Sequence, residues 1–123
     1  MREQREQFRF DETGTVVAVV VAEDALTVLE VELQPGAGAG RHRHTKEDET
    51  IVVLEGELTV SGERLESGQA VHLPKGLAHE FRNDGDEVVR ALFICVPGGL
   101  ERFFRALAVG DGAGAAAAGV ESV

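Results

Sequence analysis

Residues 36–56 read GAGAGRHRHTKEDETIVVLEG, and residues 68–83 read GQAVHLPKGLAHEFRN. These two stretches contain all four histidines of the chain, which are His42, His44, His72 and His79. Side chains two apart on a β-strand share a face, so His42 and His44 project together if their segment is extended. Neutral imidazoles together with a carboxylate suit zinc, iron, nickel, copper or manganese. The two stretches therefore predict strands that direct three histidines and one glutamate at a single metal ion.

The residues around these histidines follow the same alternation. Glu49 stands at the start of an apolar run, in which every second side chain would share its face. His79 shares a face with Phe81 in the same way. Arg41 and Arg43 alternate with the histidines of the first stretch, so their side chains are expected to point outward.

The spacing of both stretches matches two known motifs. The pattern Gly-x5-His-x-His-x4-Glu-x6-Gly is met by Gly36, His42, His44, Glu49 and Gly56. The pattern Gly-x5-Pro-x-Gly-x2-His-x3-Asn is met by Gly68, Pro74, Gly76, His79 and Asn83. In these residues the chain resembles the cupin superfamily in its small single-domain form, and the flanking strands extend the resemblance to roughly residues 8–108. A weaker likeness, in the glycine-rich approach and the closing helix, links it to the quercetin-dioxygenase-like group.

The resemblance implies an all-β fold, an antiparallel cupin β-barrel (a double-stranded β-helix or jelly roll) with one short C-terminal helix. It also implies the metal ligands, which are His42, His44, Glu49 and His79. The implied cofactor is a divalent transition metal ion such as Fe, Mn, Ni or Zn. The reaction does not follow from the resemblance, because one fold hosts many functions.

Composition narrows the class of protein. At 123 residues the chain predicts one domain, and its single cysteine, Cys95, has no partner for a disulfide within the chain. A lone cysteine and a charged start, MREQREQ, in place of an apolar leader predict a reducing, cytoplasmic location. No apolar run approaches the roughly 20 residues of a membrane span. The net charge of −10 argues against nucleic acid and against an acidic membrane surface as partners.

Short strands separated by turns are predicted along most of the chain. They are expected at residues 7–11, 15–22, 26–33, 57–61, 64–67, 70–73 and 88–96, besides the two motif stretches. A flexible glycine-rich loop is expected at residues 35–40. So many short strands are typical of a sandwich or barrel.

The C-terminal part of the chain departs from this pattern. Residues 99–108 predict a helix, with an apolar stripe formed by Leu100, Phe103, Phe104 and Leu107. Its other face is expected to carry Glu101, Arg102 and Arg105. We therefore expect a single barrel domain over residues 1–108 and a flexible Gly/Ala-rich tail over residues 109–123.

Two residues are candidates for moving protons. Glu49 can act as a metal ligand that also takes a proton from a substrate. For His72 two interpretations are open: an outward-facing side chain, or an acid or base near the metal. The chain contains no Tyr and no Trp, so any proton transfer must use Glu, His, Asp, Lys or metal-bound water.

Other residues near the motifs have structural interpretations. Glu47 and Asp48 are expected in a solvated loop, the alternative being a second carboxylate at the metal. Cys95 is expected as a small buried hydrophobe, and Asn83 as a residue that stabilises a tight turn. Phe81 and Phe93 are expected to form apolar walls of the cavity.

These features predict a metal-dependent enzyme acting on a small organic molecule, with a dioxygenase-like oxidoreductase as the first choice. The alternatives are a non-oxidative isomerase, lyase or cyclase that uses Zn, Mn or Ni as a Lewis acid, and a cupin that binds a small ligand without turnover. The valine-rich run at residues 15–22 would leave an apolar edge exposed. We therefore expect a homodimer in which the N-terminal strands meet.

Overall fold

The computed structural model describes residues 5–123; residues 1–4, part of the predicted domain and of its charged start, lie outside the described residues. The described chain forms eleven strands and two helices. The strands are β1 (Gln7–Phe10), β2 (Thr15–Ala22), β3 (Thr27–Leu33), β4 (Gly38–His44), β5 (Asp48–Glu55), β6 (Leu58–Val60), β7 (Glu63–Leu65), β8 (Ala70–Leu73), β9 (His79–Arg82), β10 (Val89–Val96) and β11 (Val120–Ser122). The helices are α1 (Glu101–Ala108) and α2 (Gly112–Ala117), and neither is long and apolar enough to cross a bilayer.

The strands form two antiparallel sheets around one core. The six-stranded sheet has the order β1-β2-β3-β10-β5-β8, and the five-stranded sheet has the order β11-β4-β9-β6-β7. Buried and part-buried residues alternate along β3, β5 and β10, because successive side chains of a strand point to opposite faces. Leu29 and Ile51 from one sheet meet Leu58 from the other in the core, and all three are fully buried. The predicted all-β jelly-roll architecture is thereby confirmed.

The segment around Gly38 is a strand and not the flexible loop that the sequence predicts. β4 begins at Gly38 and pairs with β9, with a shift of register between Ala39 and His42. A Cβ atom added to Gly38 would collide with the backbone carbonyl of Phe81. Glycine therefore lets the two strands that carry the histidines approach each other closely. A glycine-rich sequence predicts a loop. Only the folded structure reveals that Gly38 lies against the backbone of β9.

Asn83 has the structural role that the sequence predicts. Its Nδ2 donates to the carbonyls of Leu33 at 3.0 Å and Glu87 at 2.8 Å, and its Oδ1 accepts from the backbone N–H of Gly85 at 3.0 Å. The side chain thereby satisfies buried backbone groups where β9 leads toward β10.

Helix α1 is confirmed, but its faces differ from the prediction. Leu100, just before it, is buried, whereas Leu107 is 44% exposed. Glu101, expected on the outer polar face, is buried and accepts a hydrogen bond from the Thr27 hydroxyl at 2.7 Å. The same hydroxyl accepts from the N–H of Gly99 at 2.8 Å. A buried carboxylate is tolerated here because it has a hydrogen-bonding partner on β3.

The segment at residues 109–123 differs from the flexible tail that its composition predicts. It forms a second short helix, α2, capped by the Asp111 carboxylate, which accepts from the Gly114 N–H at 2.9 Å. It ends in β11, which pairs with β4 at the edge of the five-stranded sheet. The turn between them contains Gly119 with φ +84, a conformation that favours glycine. Backbone pairing needs no large side chains, so a Gly/Ala-rich composition conceals it.

The close approach at Gly38 can be tested by adding one methyl group. Gly38→Ala should lower the free energy of unfolding by about 1–3 kcal/mol, because the added Cβ meets backbone that cannot rotate away. Gly40→Ala, two residues along the same strand, is the matched control, since a Cβ there meets nothing within 4 Å. Urea unfolding of the two variants measures the difference, and equal effects would show that β4 and β9 are not closely packed at Gly38.

Candidate metal centre

Three strands bring four side chains of the two motifs to one place. His42 and His44 lie on β4, Glu49 lies on β5, and His79 is the first residue of β9, directly opposite His42. One ring nitrogen from each histidine lies within 4.8 Å of the others. Glu49 Oε1 lies 3.2 Å from His79 Nε2, and its Oε2 lies 3.7 Å from His44 Nε2. The residues that the sequence assigns to the metal are therefore neighbours in the folded chain.

Hydrogen bonds fix which nitrogen of each imidazole faces the cluster. Every Nδ1 lies beside an oxygen that can only accept: His42 beside the Gly40 carbonyl at 2.6 Å, His44 beside the Glu47 carboxylate at 2.9 Å, and His79 beside the Leu77 carbonyl at 3.1 Å. Each Nδ1 must therefore carry the proton and donate it. A neutral imidazole in that tautomer presents a lone pair at Nε2, which is the form that binds a metal ion.

The inward-facing atoms have no hydrogen-bonding partner of their own. Nε2 of His44, Nε2 of His79 and Oε1 of Glu49 are buried, and none makes a hydrogen bond within residues 5–123. Such buried unsatisfied groups are rare in folded proteins, and each costs about 1–3 kcal/mol. Three of them would remove a large share of a stability that is typically about 5–15 kcal/mol. A cation satisfies all of them at once, and the nitrogen and oxygen donors fit a divalent transition metal ion.

The histidine pKa values move in opposite directions. Burial lowers the pKa of His42 below its usual value, and the hydrogen bond to Gly40 only partly offsets it. Burial also acts against the charged form of His44, but the hydrogen bond to Glu47 and the charge of Glu49 outweigh it, so the pKa of His44 is raised. His44 therefore binds a proton more readily than His42 does.

Glu47 is a supporting residue of the cluster. The sequence favours a solvated loop for it, yet Glu47 is only 3% exposed and its carboxylate holds His44. The chain turns after β4, which brings a residue three positions past His44 back beside its ring. Asp48, by contrast, is exposed as expected and accepts from the backbone N–H of Lys75 at 2.7 Å.

His72 does not belong to this cluster. It lies on β8 opposite Thr50, and its Nδ1 is 3.1 Å from the Thr50 hydroxyl. Thr50 alternates with the buried Glu49, so both His72 and Thr50 lie on the outer face of the sheet. The side chain is exposed and does not line the cavity, which agrees with the outward-facing alternative and gives no support to an acid or base role.

Cys95 is buried, as the sequence predicts, and lies across the sheet from Glu49. Its Sγ is 3.8 Å from Glu49 Oε2, and the two residues pair between β10 and β5. Burial, followed by the charge of Glu49, raises the pKa of the thiol. Cys95 therefore remains protonated and contacts Glu49 as a weak donor.

The metal cluster opens onto a cavity of about 380 Å³. His42, His44 and Glu49 line it, together with Phe10, Phe81, Phe93, Phe103 and Phe104. Phe81 and Phe93 are walls, as predicted, with ring centroids 5.2 Å apart. The apolar stripe before and along α1 also lines the cavity, which explains why Phe103 and Phe104 are only partly buried. Sequence reasoning identified the stripe but not the cavity that it borders.

The chain is similar to a known protein family and to individual known proteins. The profile of a family described as "Cupin domain" matches residues 29–95. "Polyketide synthase CurC" of Streptomyces cyaneus is 36% identical over 69 residues, which cover 53% of this chain and 45% of that protein. "Tetracenomycin polyketide synthase protein TcmJ" of Streptomyces glaucescens is 34% identical over 71 residues, which cover 54% of this chain and 48% of that protein. The chain thus spans about half the length of the curated relatives it matches.

A solved structure shows the same fold. KdgF from Halomonas sp. superposes with a TM-score of 0.70 at 22% sequence identity, over 78% of this chain and 90% of that chain. The family match contains all four motif residues at the cluster but ends before α1, α2 and β11. Those three elements therefore lie outside the part of the chain that the family profile matches.

Removing one candidate ligand should remove the metal. His79→Ala removes one of the three imidazoles whose nitrogens lie together. The purified variant should therefore retain far less than one ion per chain after dialysis against a weak chelator. His72→Ala is the matched control, because His72 lies on the outer face of the sheet and should leave the metal content unchanged. Elemental analysis measures both variants. Full metal content in His79→Ala would contradict the assignment of this ligand.

The support that Glu47 gives to His44 should appear in metal affinity. Glu47→Gln keeps the shape of the side chain but removes the charge beside His44 Nδ1, so affinity should fall about 10–100-fold. Asp48→Asn removes an exposed charge one residue away and should change affinity little. Competition with a chromophoric chelator gives the two values. Equal affinities in both variants would mean that Glu47 does not tune the ligand.

Proposed function

The chain belongs to the cupin domain family, and from this premise we propose that it is a metal-dependent enzyme for a small, largely apolar organic molecule. The proposed ligands of one divalent transition metal ion are His42, His44, Glu49 and His79. The observation that carries the proposal is the set of buried, unpartnered acceptor atoms of His44, Glu49 and His79, beside an apolar cavity that His44 and Glu49 line. Without a bound cation, these buried atoms would have no partner.

The protein leaves room for chemistry at the ion. The four residues would hold the ion, and the cavity that His44 and Glu49 line would give a small organic molecule access to it. When bound, the ion supplies Lewis acidity to a coordinated oxygen and, if it is redox-active, electron transfer to O₂. The phenylalanine walls give the cavity an apolar lining beside the cluster, where electrostatic interactions are stronger than in bulk water.

Glu49 is the proposed proton acceptor of the chain. Among the described residues that line the cavity it is the one carboxylate, and Arg41 is the one ionisable residue outside the histidine–glutamate cluster. Oε2 of Glu49 contacts Cys95, whereas Oε1 makes no hydrogen bond within residues 5–123 and is the oxygen that, in this proposal, both binds the ion and takes the substrate proton. A single base that takes one proton from an enol or phenol suits dioxygenase-like oxidation, in which the ion and O₂ supply the remaining chemistry. This is our first choice of reaction.

A non-oxidative cyclase, isomerase or lyase is the second candidate. The similarity to two Streptomyces proteins whose names place them in polyketide synthases favours it. Such reactions also need a group that returns a proton, and the cavity offers only Glu49 or a metal-bound water for that step. Binding of a small ligand without turnover is the third candidate. A homodimer and a cytoplasmic location remain predictions from the sequence.

Oxygen consumption separates the candidates. Metal-loaded protein should consume O₂ with catechols or enols of one or two rings, and Glu49→Gln should lower that rate by about 10²–10⁴-fold. Glu55→Gln is the control, because Glu55 ends the same strand as an exposed residue paired with Arg90. Metal content is measured in parallel, so that loss of the ion is distinguished from loss of the base.

Each other outcome favours a different candidate. Product formation without O₂ uptake would overturn the dioxygenase proposal and favour the non-oxidative reaction. Tight binding without any product would favour a ligand-binding cupin. Metal-loaded protein that neither binds nor converts any of these compounds would contradict the proposed substrate type.

A further inference from the structure

The C-terminal strand β11 lies directly beside the metal cluster. It pairs antiparallel with β4, so that Val120 stands opposite His44 and Ser122 stands opposite His42. Directly opposed residues of an antiparallel pair have Cβ atoms about 4.5–5.5 Å apart on the same face of the sheet. Two side chains of this strand are therefore immediate neighbours of two proposed ligands.

The three residues of β11 alternate between the cavity and solvent. Val120 is partly buried and Ser122 is exposed, and both line the cavity. Glu121, between them, points the other way and accepts from Nε of Arg43 at 2.9 Å. The strand thus presents one apolar and one polar side chain to whatever occupies the cavity.

Several hydrogen bonds hold this strand in place without using its inward side chains. The backbone N–H and the hydroxyl of Thr45 both donate to the Gly119 carbonyl at 2.9 Å. The N–H of Val123 donates to the Arg41 carbonyl at 3.1 Å. These bonds place β11 by its backbone, and Val120 also packs against the hydrophobic core while it lines the cavity.

We propose that β11 is the specificity-determining wall of the site, in which Val120 limits the size of the ring that can lie against the metal cluster and Ser122 binds a polar substituent of that ring. The proposed ligand class is a one- or two-ring aromatic compound with adjacent hydroxyl groups, one end at the ion and the apolar body against the phenylalanines. This inference rests on the proposed function. β11 lies outside the residues that match the family, so the proposed selectivity does not follow from that match.

Two diols of different size test the size limit. Catechol and 2,3-dihydroxynaphthalene are titrated by calorimetry into protein loaded with ferrous iron under anaerobic conditions. Val120→Phe should weaken binding of the naphthalenediol at least about 10-fold and binding of catechol much less. The reason is that a single extra methylene in an apolar pocket already changes the preference between two ligands by about 10-fold or more. Val120→Ala should shift the preference toward the larger diol. Ser122→Ala should weaken both diols by about 2- to 10-fold, as expected for one hydrogen bond.

Glu121→Gln is the matched control, because it alters the same short strand on the side away from the cavity. It should keep both affinities within about twofold of wild type, and all variants should retain the wild-type metal content. An unchanged ratio of the two affinities in both Val120 variants would overturn the inference while leaving the proposed function intact. The same loss in Glu121→Gln as in Val120→Phe would also overturn it, by showing a purely structural role. Wild-type protein that takes up none of Fe, Mn, Ni or Zn would overturn the proposed function, and this inference with it.

Discussion

Buried acceptor atoms that face one another without a donor are the constraint on which this structure depends. Three imidazoles donate their Nδ1 protons outward, and Nε2 of His44, Nε2 of His79 and Oε1 of Glu49 are left buried without a partner within residues 5–123. Hydrogen bonding within the chain cannot relieve this arrangement, because each of these atoms is an acceptor. A cation relieves it. The glycine at position 38, the shift of register in β4 and the buried Glu47 all serve to place these acceptors.

The surroundings of the cluster limit what chemistry is possible there. The cavity is apolar and aromatic, and Glu49 is its one carboxylate among the described lining residues. A polar substrate with several charges would lose its hydration without gaining partners, which disfavours it strongly. A flat apolar molecule with an oxygen for the metal loses little and gains contact with the phenylalanine rings. In the proposed function the chemistry comes largely from the metal position, with Glu49 as the base beside it.

The C-terminal segment connects the fold to this chemistry. α1 is anchored by the buried pair of Thr27 and Glu101 and turns its apolar stripe to the cavity. β11 adds an edge strand against β4 and covers the side of the cluster where His42 and His44 lie. A segment with few large side chains thereby forms a wall of the site. Its contribution comes from backbone pairing, which is available to glycine and alanine as to any other residue.

The sequence by itself determined the fold class, the positions of most strands and the identity of the clustered residues. Those features are local: alternation along a strand, and fixed spacings such as that of His42, His44 and Glu49, remain visible in one dimension. Asn83 and Cys95 were also predictable, because a tight turn and a small apolar residue suffice to explain them.

Tertiary structure alone decided the features that depend on how distant segments meet. It buried Glu47 beside His44, placed His72 on the outer face, and gave Glu101 a partner 74 residues away in the chain. It also made a strand of residues 120–122, whose composition predicts a flexible tail. Burial and pairing are set by contacts between segments that are far apart in sequence, so no local pattern of charge or hydrophobicity records them.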